Sequence, residues 1–392
     1  MSILLTIYFI IYALISIRFL LHTGVLALPI PNKQHLRRYN DKRILIQYPV
    51  RNEPLRLVER FIKSLETIPE GQRHRYKLQI LDDYDDKLPT LTIKPCVEYE
   101  IFKREKRTGN KAGNMNFGLE HSDGFDFLLV FDADHQVDGR GLYDAANILY
   151  GHEDIVCVQS RWIFDNKSNK LENLFQQQVL GAHIEREQTF RSYYNIFPIF
   201  NGAGGMWKIS YLKERFGGFL TRCVCEDTDT SGEANMDGKR IVVLPTWTTR
   251  VDLVDGWKDY EKQQHRWIKG NGQQFAYHWS VKSKSWAKKM YWMSWNAGFA
   301  LAPLKYPMLG FGVYRYLTGQ SILIEQLAMI PHVLAWIGTS MSWNNTLSAK
   351  RLILYPTQYI LELRVLHAQI SGWYKGFFSY KKHFDFEVTR KV

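Results

Sequence analysis

Apolar and polar positions divide this chain into three stretches of different texture. Residues 3–17 (ILLTIYFIIYALISI) are apolar almost without a break, and the run resumes beyond Arg18 as FLLHTGVLALPI. That predicts one membrane-spanning helix of about 20 residues within residues 1–30, with Arg18 near an end or snorkelling. A cleaved signal peptide is the rival reading. Against it, the apolar run is long, no Lys or Arg precedes it, and Pro29 and Pro31 stand in place of a small-x-small site. Lys33, Arg37, Arg38, Lys42 and Arg43 come next, and by the positive-inside rule they predict a cytosolic domain after them.

Over residues 43–280 the pattern becomes an alternation. RILIQYPV, YKLQILDD, DFLLVFDAD and DIVCVQSRW are short runs rich in Val, Ile and Leu and read as buried strands. LRLVERFIKSLETI carries its apolar residues at helical spacing. Strand–helix alternation predicts an α/β domain with a mostly parallel sheet, whose ligand site lies at the carboxyl ends of the strands. The acidic clusters of this chain fall at those ends.

Residues 290–392 are apolar and aromatic again, in MYWMSWNAGFALAPLKYPMLGFGVY and SILIEQLAMIPHVLAWIGTSM. Each run holds a charge, Lys305 or Glu325, so the expected helices are membrane helices facing a cavity or a partner helix. A buried helical subdomain is the alternative. Arg351–Phe378 mixes charge with large apolar residues and reads as interfacial or weakly spanning. Lys282, Lys284, Lys288 and Lys289, just before these helices, again point to the cytosolic side.

A hydrophobic content of 45% with 23% charged residues excludes wholesale disorder. The aromatic share of 14% suits a large core, a membrane interface or a sugar-stacking surface. A net charge of +12 favours an anionic partner: a nucleotide diphosphate, an acidic lipid surface or nucleic acid. Lys103, Arg104, Lys106 and Arg107 concentrate part of that charge. No nucleic-acid-binding fold surrounds them, so they read as a solvated or phosphate-attracting face, and no nucleic-acid partner is expected. Cys96, Cys157, Cys223 and Cys225 have neither a disulfide framework nor zinc-ligand spacing, which fits a reduced compartment.

The chemistry begins at FDADHQ. Asp132 and Asp134 close a hydrophobic strand one residue apart, so on an extended chain both carboxylates point the same way. Two such hard ligands suit Mg²⁺ or Mn²⁺, completed by the oxygens of a diphosphate. Asp82, Asp83, Asp85 and Asp86 crowd another strand end and repel one another unless a cation or a donor-rich ligand is close; without metal, strand-end aspartates are expected to titrate high. Glu226 and Asp227 follow in CVCEDTD, after FNGAGGMW, and Gln263, Arg266 and Trp267 lie in QQHRW. Gly202, Gly204 and Gly205 would allow close approach of the backbone to a ligand, or form an ordinary turn. His183, Glu185 and Glu187 read as a helix face, not a metal-ligand set, because His183 and Glu187 are four apart.

Taken in order, YPVRNEP, KAGNMNFGL, FDADHQ, VQSRWIFDN, FNGAGGMWKI, CEDTD and QQHRW resemble the processive family-2 glycosyltransferases, the group holding cellulose, chitin, hyaluronan and mannan synthases. The resemblance runs from about Tyr48 to Phe275 and is strongest to the plant-type cellulose-synthase-like mannan and glucomannan synthases. It implies a GT-A-type, Rossmann-like fold flanked by membrane helices, in a plasma or Golgi membrane, with a cytosolic catalytic domain. It implies that Asp83 binds the nucleoside, that Asp132 and Asp134 hold the diphosphate and its metal, and that Asp227 is the base, with Glu226 beside it. Gln263, Arg266 and Trp267 would close on the donor diphosphate and stack the acceptor sugar, with Lys111 a basic position near the donor. The implied partners are a nucleotide sugar (GDP-mannose or UDP-glucose), a β-1,4-linked polysaccharide acceptor and membrane lipid.

An inverting transfer needs one base to take the acceptor proton, cations for the leaving diphosphate, and an apolar face for a pyranose ring. Asp227, the metal with Arg266, and Trp267 fill those roles, and no covalent intermediate is needed. IKGNGQQF after QQHRW departs from the family, and the C-terminal apolar region is short for an export channel. A homo-oligomer or a synthase complex would complete such a channel. A non-processive transferase acting on a lipid or oligosaccharide, and an inactive scaffold subunit, are the competing readings. The scaffold has no need of the intact set of Asp and QxxRW residues.

Overall fold

The computed structural model describes residues 42–380 apart from residues 87, 167, 169, 284, 302–304, 321–332, 335, 336, 339 and 342–346. The expected N-terminal span and most of the second C-terminal apolar run lie outside them. The described chain forms two compact units, one of residues 42–169 and 192–254 and one of residues 170–191 and 255–380.

The first unit is built on seven strands: β1 Ile44–Val50, β2 Tyr76–Asp82, β3 Glu98–Lys103, β4 Phe127–Val130, β5 Ile155–Phe164, β6 Gly205–Lys208 and β7 Arg240–Val251. Their order is β3-β2-β1-β4-β6-β5-β7, parallel throughout except for β6, which runs against both neighbours. The mostly parallel α/β sheet expected from the alternation is present. Strand β1 explains its own burial. Ile44, Ile46, Tyr48 and Val50 enter one core with Val58, Phe61 and Ile62 of the helix Leu55–Ser64 and Leu142, Ala145 and Leu149 of the helix Leu142–Gly151. Leu45 faces the opposite core, formed with Ala112, Met115 and Leu119 of the helix Asn110–Glu120. Strand periodicity of two sends alternate residues to opposite layers, and each fully buried aliphatic or Phe side chain contributes about 1.5–3 kcal/mol. Gln47, on that second face, donates its buried Nε2 to Gln79 Oε1 at 3.1 Å and to the Met115 carbonyl at 3.0 Å.

In the second unit, the helices Trp257–Ser280 and Ala349–Ser379 pack backbone to backbone. A methyl group at Gly272 would collide with the Trp373 carbonyl, and one at Gly376 with the Lys269 carbonyl. Trp373 Nε1 donates to the Asn296 carbonyl at 2.8 Å, tying in the helix Trp286–Leu301. Among the described residues no helix is long and apolar enough to cross a membrane. The 31-residue helix Ala349–Ser379 is interrupted by Lys350, Arg351, Glu362, Arg364 and Lys375, so the expected C-terminal spans find no support in the described part. None of the four cysteines forms a disulfide.

Candidate functional site

The carboxyl ends of β1, β2 and β4 bring the site's acidic groups together, and the ends of β2 and β3 show how crowded charge is handled. In the β2–β3 register Asp82 faces Lys103, whose Nζ is 3.5 Å from the Asp82 carboxylate. Arg104 grips Asp83 with both arms, Nε to Oδ1 at 2.9 Å and Nη2 to Oδ2 at 2.7 Å, and both side chains are buried. Arg107 pairs with Asp85, which Asn52 also contacts. The Asp85 carboxyl is held below its usual range by Arg107 first and Asn52 second. The basic run read as a solvated or phosphate-attracting face is thus the counter-charge of the acidic run, and at Asp85 the titration expected from crowding is reversed.

Asp132 and Asp134 lie past the end of β4, in a turn closed by the His135 N–H on the Asp132 carbonyl at 3.0 Å. They converge through this turn and not, as the sequence suggested, by alternation along a strand. Three contacts pin it. Tyr48, stacked on Phe61 with ring centroids 3.8 Å apart, donates its hydroxyl to the Ala133 carbonyl at 2.9 Å. Arg60 reaches the Asp134 carbonyl at 3.2 Å, and Gln136 N–H bonds the Arg250 carbonyl at 2.9 Å.

Lys111, in the first turn of its helix, is the hub. Its Nζ lies 2.5 Å from Asp132 Oδ1 and 3.4 Å from Glu226 Oε1, and donates to the Gly202 carbonyl at 2.8 Å. Burial opposes its charge, but Asp132 and Glu226 outweigh burial and hold its pKa well above the ordinary lysine value. Burial likewise works against the Asp132 carboxylate, and Lys111 prevails, holding it below its usual range.

Glu226 and Asp227 open the helix Glu226–Met236, where free N–H groups and the helix dipole favour carboxylates. Asp227 Oδ1 accepts the Thr228 N–H at 2.7 Å. Its pKa is pushed up to about 7, by burial first and the Glu226 charge second, against the pull of Lys111. Gly202 takes φ +83°, and a methyl there would sit 3.0 Å from Asp227 Oδ2 and 3.7 Å from Lys111 Nζ. A side chain at 202 would fill the space beside the base, which favours the close-approach reading of this glycine.

Asp132, Asp134 and His135 can place one ligand atom each within 4.8 Å of one another. His135 is 1% exposed and neither ring nitrogen is hydrogen-bonded; Nδ1 is 3.3 Å from Asp134 Oδ1 but not aimed at it. A buried imidazole left without partners is costly in a finished core. Two carboxylates and one imidazole fit Mn²⁺ well and Mg²⁺ acceptably. His135 was missed as a candidate third ligand, although it is the next residue of the FDADHQ run. Glu53, of YPVRNEP, was missed as well. The Glu53 carboxyl is pushed up to about 7 by burial, with backbone N–H groups of Arg51 and Glu53 opposing and the Asp132 and Asp134 charges adding.

Gln263, Arg266 and Trp267 belong to the second unit, on the helix Trp257–Ser280, where spacings of three and four place them on one face. Gln263 is buried, and Arg266 and Trp267 are half-buried. His183 Nδ1 bonds Glu187 at 2.8 Å and Glu187 pairs with Arg191 at 3.1 Å, a polar row along the helix.

Residues 46–216 match the family model described as Glycosyl transferase family 2. The probable glucomannan 4-beta-mannosyltransferase 1 of Arabidopsis thaliana is 34% identical over 247 residues, 59% of this chain and 43% of that protein. The chain therefore spans less than half the length of that relative. Among solved structures, the mannosyltransferase PcManGT from Pyrobaculum calidifontis, in complex with GDP-Man and Mn²⁺, matches with a TM-score of 0.61 and 17% identity, over 95% of this chain and 100% of that one. That likeness is one of fold. Fold and site together define an α/β glycosyltransferase domain of GT-A type. Residues 46–216 thus carry a family-2 glycosyltransferase domain, and the likeness to the glucomannan mannosyltransferase supports its cellulose-synthase-like character.

Proposed function

We propose that this chain transfers a hexose, with inversion, from a nucleotide sugar to a β-1,4-linked polysaccharide. The observation that carries the reading is Lys111, 2.5 Å from Asp132 and 3.4 Å from Glu226: one side chain stands between a diphosphate-handling carboxylate and the neighbour of the candidate base Asp227. Asp227, poised near neutrality, takes the proton of an acceptor hydroxyl as that oxygen bonds to the anomeric carbon. The bond from that carbon to the diphosphate oxygen breaks, and its electron pair leaves with the nucleoside diphosphate. The α-linked donor becomes a β-linked product in one displacement. When bound, a divalent ion held by Asp132, Asp134 and His135 supplies positive charge for the departing diphosphate. Lys111 would add a positive charge, and the family resemblance assigns Arg266 a cationic and Trp267 a ring-stacking role.

The mannosyltransferase name of the glucomannan relative supports mannose as the hexose, with glucose the alternative. We place the work at the cytosolic face of a membrane, on the strength of the apolar run 3–17 and the basic residues Lys33, Arg37 and Arg38 behind it. Membranes carrying the full chain, given radiolabelled GDP-mannose or UDP-glucose with Mn²⁺, should yield polymer cleaved by a β-1,4-specific hydrolase. Single-sugar products would remove the polymerising part of the proposal, and full activity of Asp227→Asn would remove the mechanism.

A further inference from the structure

We propose that Lys111 is a tethered counter-ion that occupies Asp132 until a nucleoside diphosphate arrives, so that divalent metal and nucleotide bind this chain with positive cooperativity. The inference rests on the reading of Asp132, Asp134 and His135 as a metal site. Three oxygens from three parts of the chain receive the Lys111 ammonium: Asp132 Oδ1 at 2.5 Å, the Gly202 carbonyl at 2.8 Å and Glu226 Oε1 at 3.4 Å. Asp132 and Gly202 lie within hydrogen-bond distance of it, and Glu226 is paired through charge. The arrangement neutralises Asp132 and Glu226 with a cation that is part of the chain.

The same arrangement opposes a second cation. Asp132 is the most exposed of the three candidate ligands, its side chain 37% exposed against 5% for Asp134 and 1% for His135, and it is the one Lys111 holds. A divalent ion on that carboxylate stands within a few ångströms of the ammonium, and in a partly desolvated site such repulsion is large. A diphosphate changes the balance, because its oxygens offer Lys111 a partner in exchange for Asp132. Four methylene groups give the ammonium room to move while its helix stays fixed. Each ligand therefore eases the other's binding, which is a coupling free energy and acts in both directions.

The test is Mn²⁺ titration of the full chain, followed by electron paramagnetic resonance of the free ion, with and without GDP. Wild type should bind Mn²⁺ at least about tenfold more tightly when GDP is present. Lys111→Met and Lys111→Gln, checked for folding by circular dichroism, should each bind Mn²⁺ alone about tenfold or more tightly than wild type. In both, the added effect of GDP should shrink. Folded variants with unchanged or weaker Mn²⁺ affinity would overturn the counter-ion role while leaving the metal site standing. Should wild type bind no Mn²⁺ even with GDP, the metal site itself is wrong and the inference falls with it. If the Met variant does not fold, the Gln variant, which keeps a polar head, decides the question.

Discussion

Asp82 and Lys103 are register partners across β2 and β3, and from that pairing the next residues along, Asp83 and Arg104, meet in a buried bidentate bridge. Parallel strands in register carry two runs of opposite charge out of the sheet side by side. Arg104 does more than neutralise. Nη1 also bonds the Thr108 carbonyl at 2.6 Å and Nη2 the Asn110 carbonyl at 3.0 Å, bracing the turn that delivers Lys111. Asn110 in that turn holds φ +52°.

Arg104→Ala should therefore destabilise the first unit by about 3–5 kcal/mol, because Asp83 is left buried and unpaired. Arg104→Lys should recover only part, since an ammonium cannot make the two-armed contact. Urea unfolding of both variants, and of Asp83→Ala with Arg104→Ala together, reads this out. The double variant should cost less than the two single losses added. Strict additivity would mean the bridge is not the source.

The strands over 44–50, 76–82 and 155–164 were legible because each is a run of Val, Ile and Leu ended by polar residues. The charge pairing was not, because it depends on which strands are neighbours. β3, EYEIFK, is a mostly exposed edge strand carrying Glu98, Glu100 and Lys103, and nothing in its pattern says it lies beside β2. Asp132, Asp134, Glu226 and Asp227 stood out as acidic runs beside apolar ones. His135 and Glu53 did not, since a single His or Glu carries no pattern; burial without a partner marks the one, and the charges around it mark the other.

The pH dependence of Asp227 has opposite signs for activity and for stability. Its carboxyl, ordinarily at 3.8, is pushed up to about 7 in the fold, by burial and then by Glu226. As a base it must be ionised, so kcat/KM should rise with pH to a plateau. With metal bound the midpoint should lie at or below about 7, because a nearby cation favours the carboxylate. Stability runs the other way: a carboxyl whose value is raised on folding stabilises fully below about 4, and that contribution is lost as pH climbs through about 7. In metal-free buffer, Asp227→Asn should melt above wild type at pH 8 and match it near pH 4, while losing about 10²–10⁴-fold in activity. A melting difference that grows toward low pH would contradict this assignment.

The close crossing of the helices Trp257–Ser280 and Ala349–Ser379 gives a stability prediction independent of the chemistry. Gly272→Ala should cost about 1–3 kcal/mol, because the added methyl meets the backbone of the other helix and not a movable side chain. Gly310→Ala is the control. It sits in the helix Lys305–Leu317, and no atom lies within 4 Å of the place its new methyl would take. Alanine's better helix propensity should make that change neutral or stabilising by up to about 1 kcal/mol. Thermal melts of the two variants should move in opposite directions or, at the least, separate by several degrees.

His135 supplies the sharpest test of the metal site, because its two possible roles predict opposite results. As a packing residue it is a poor choice: 1% exposed, with both ring nitrogens unbonded, and tilted at 73° against Trp162. Replacing a buried polar group that makes no hydrogen bond with an apolar one of similar size is neutral or stabilising. His135→Leu should therefore keep or raise the melting temperature of the metal-free protein. As a ligand it is needed: the same variant should bind Mn²⁺ at least about 10–100-fold more weakly, the cost of disturbing even an outer-shell partner. Because an imidazole nitrogen suits Mn²⁺ better than Mg²⁺, the variant should also lose whatever preference wild type has for Mn²⁺ in the transfer assay. Retained Mn²⁺ affinity together with a lowered melting temperature would make His135 a core residue and leave Asp132 and Asp134 to hold the ion without it.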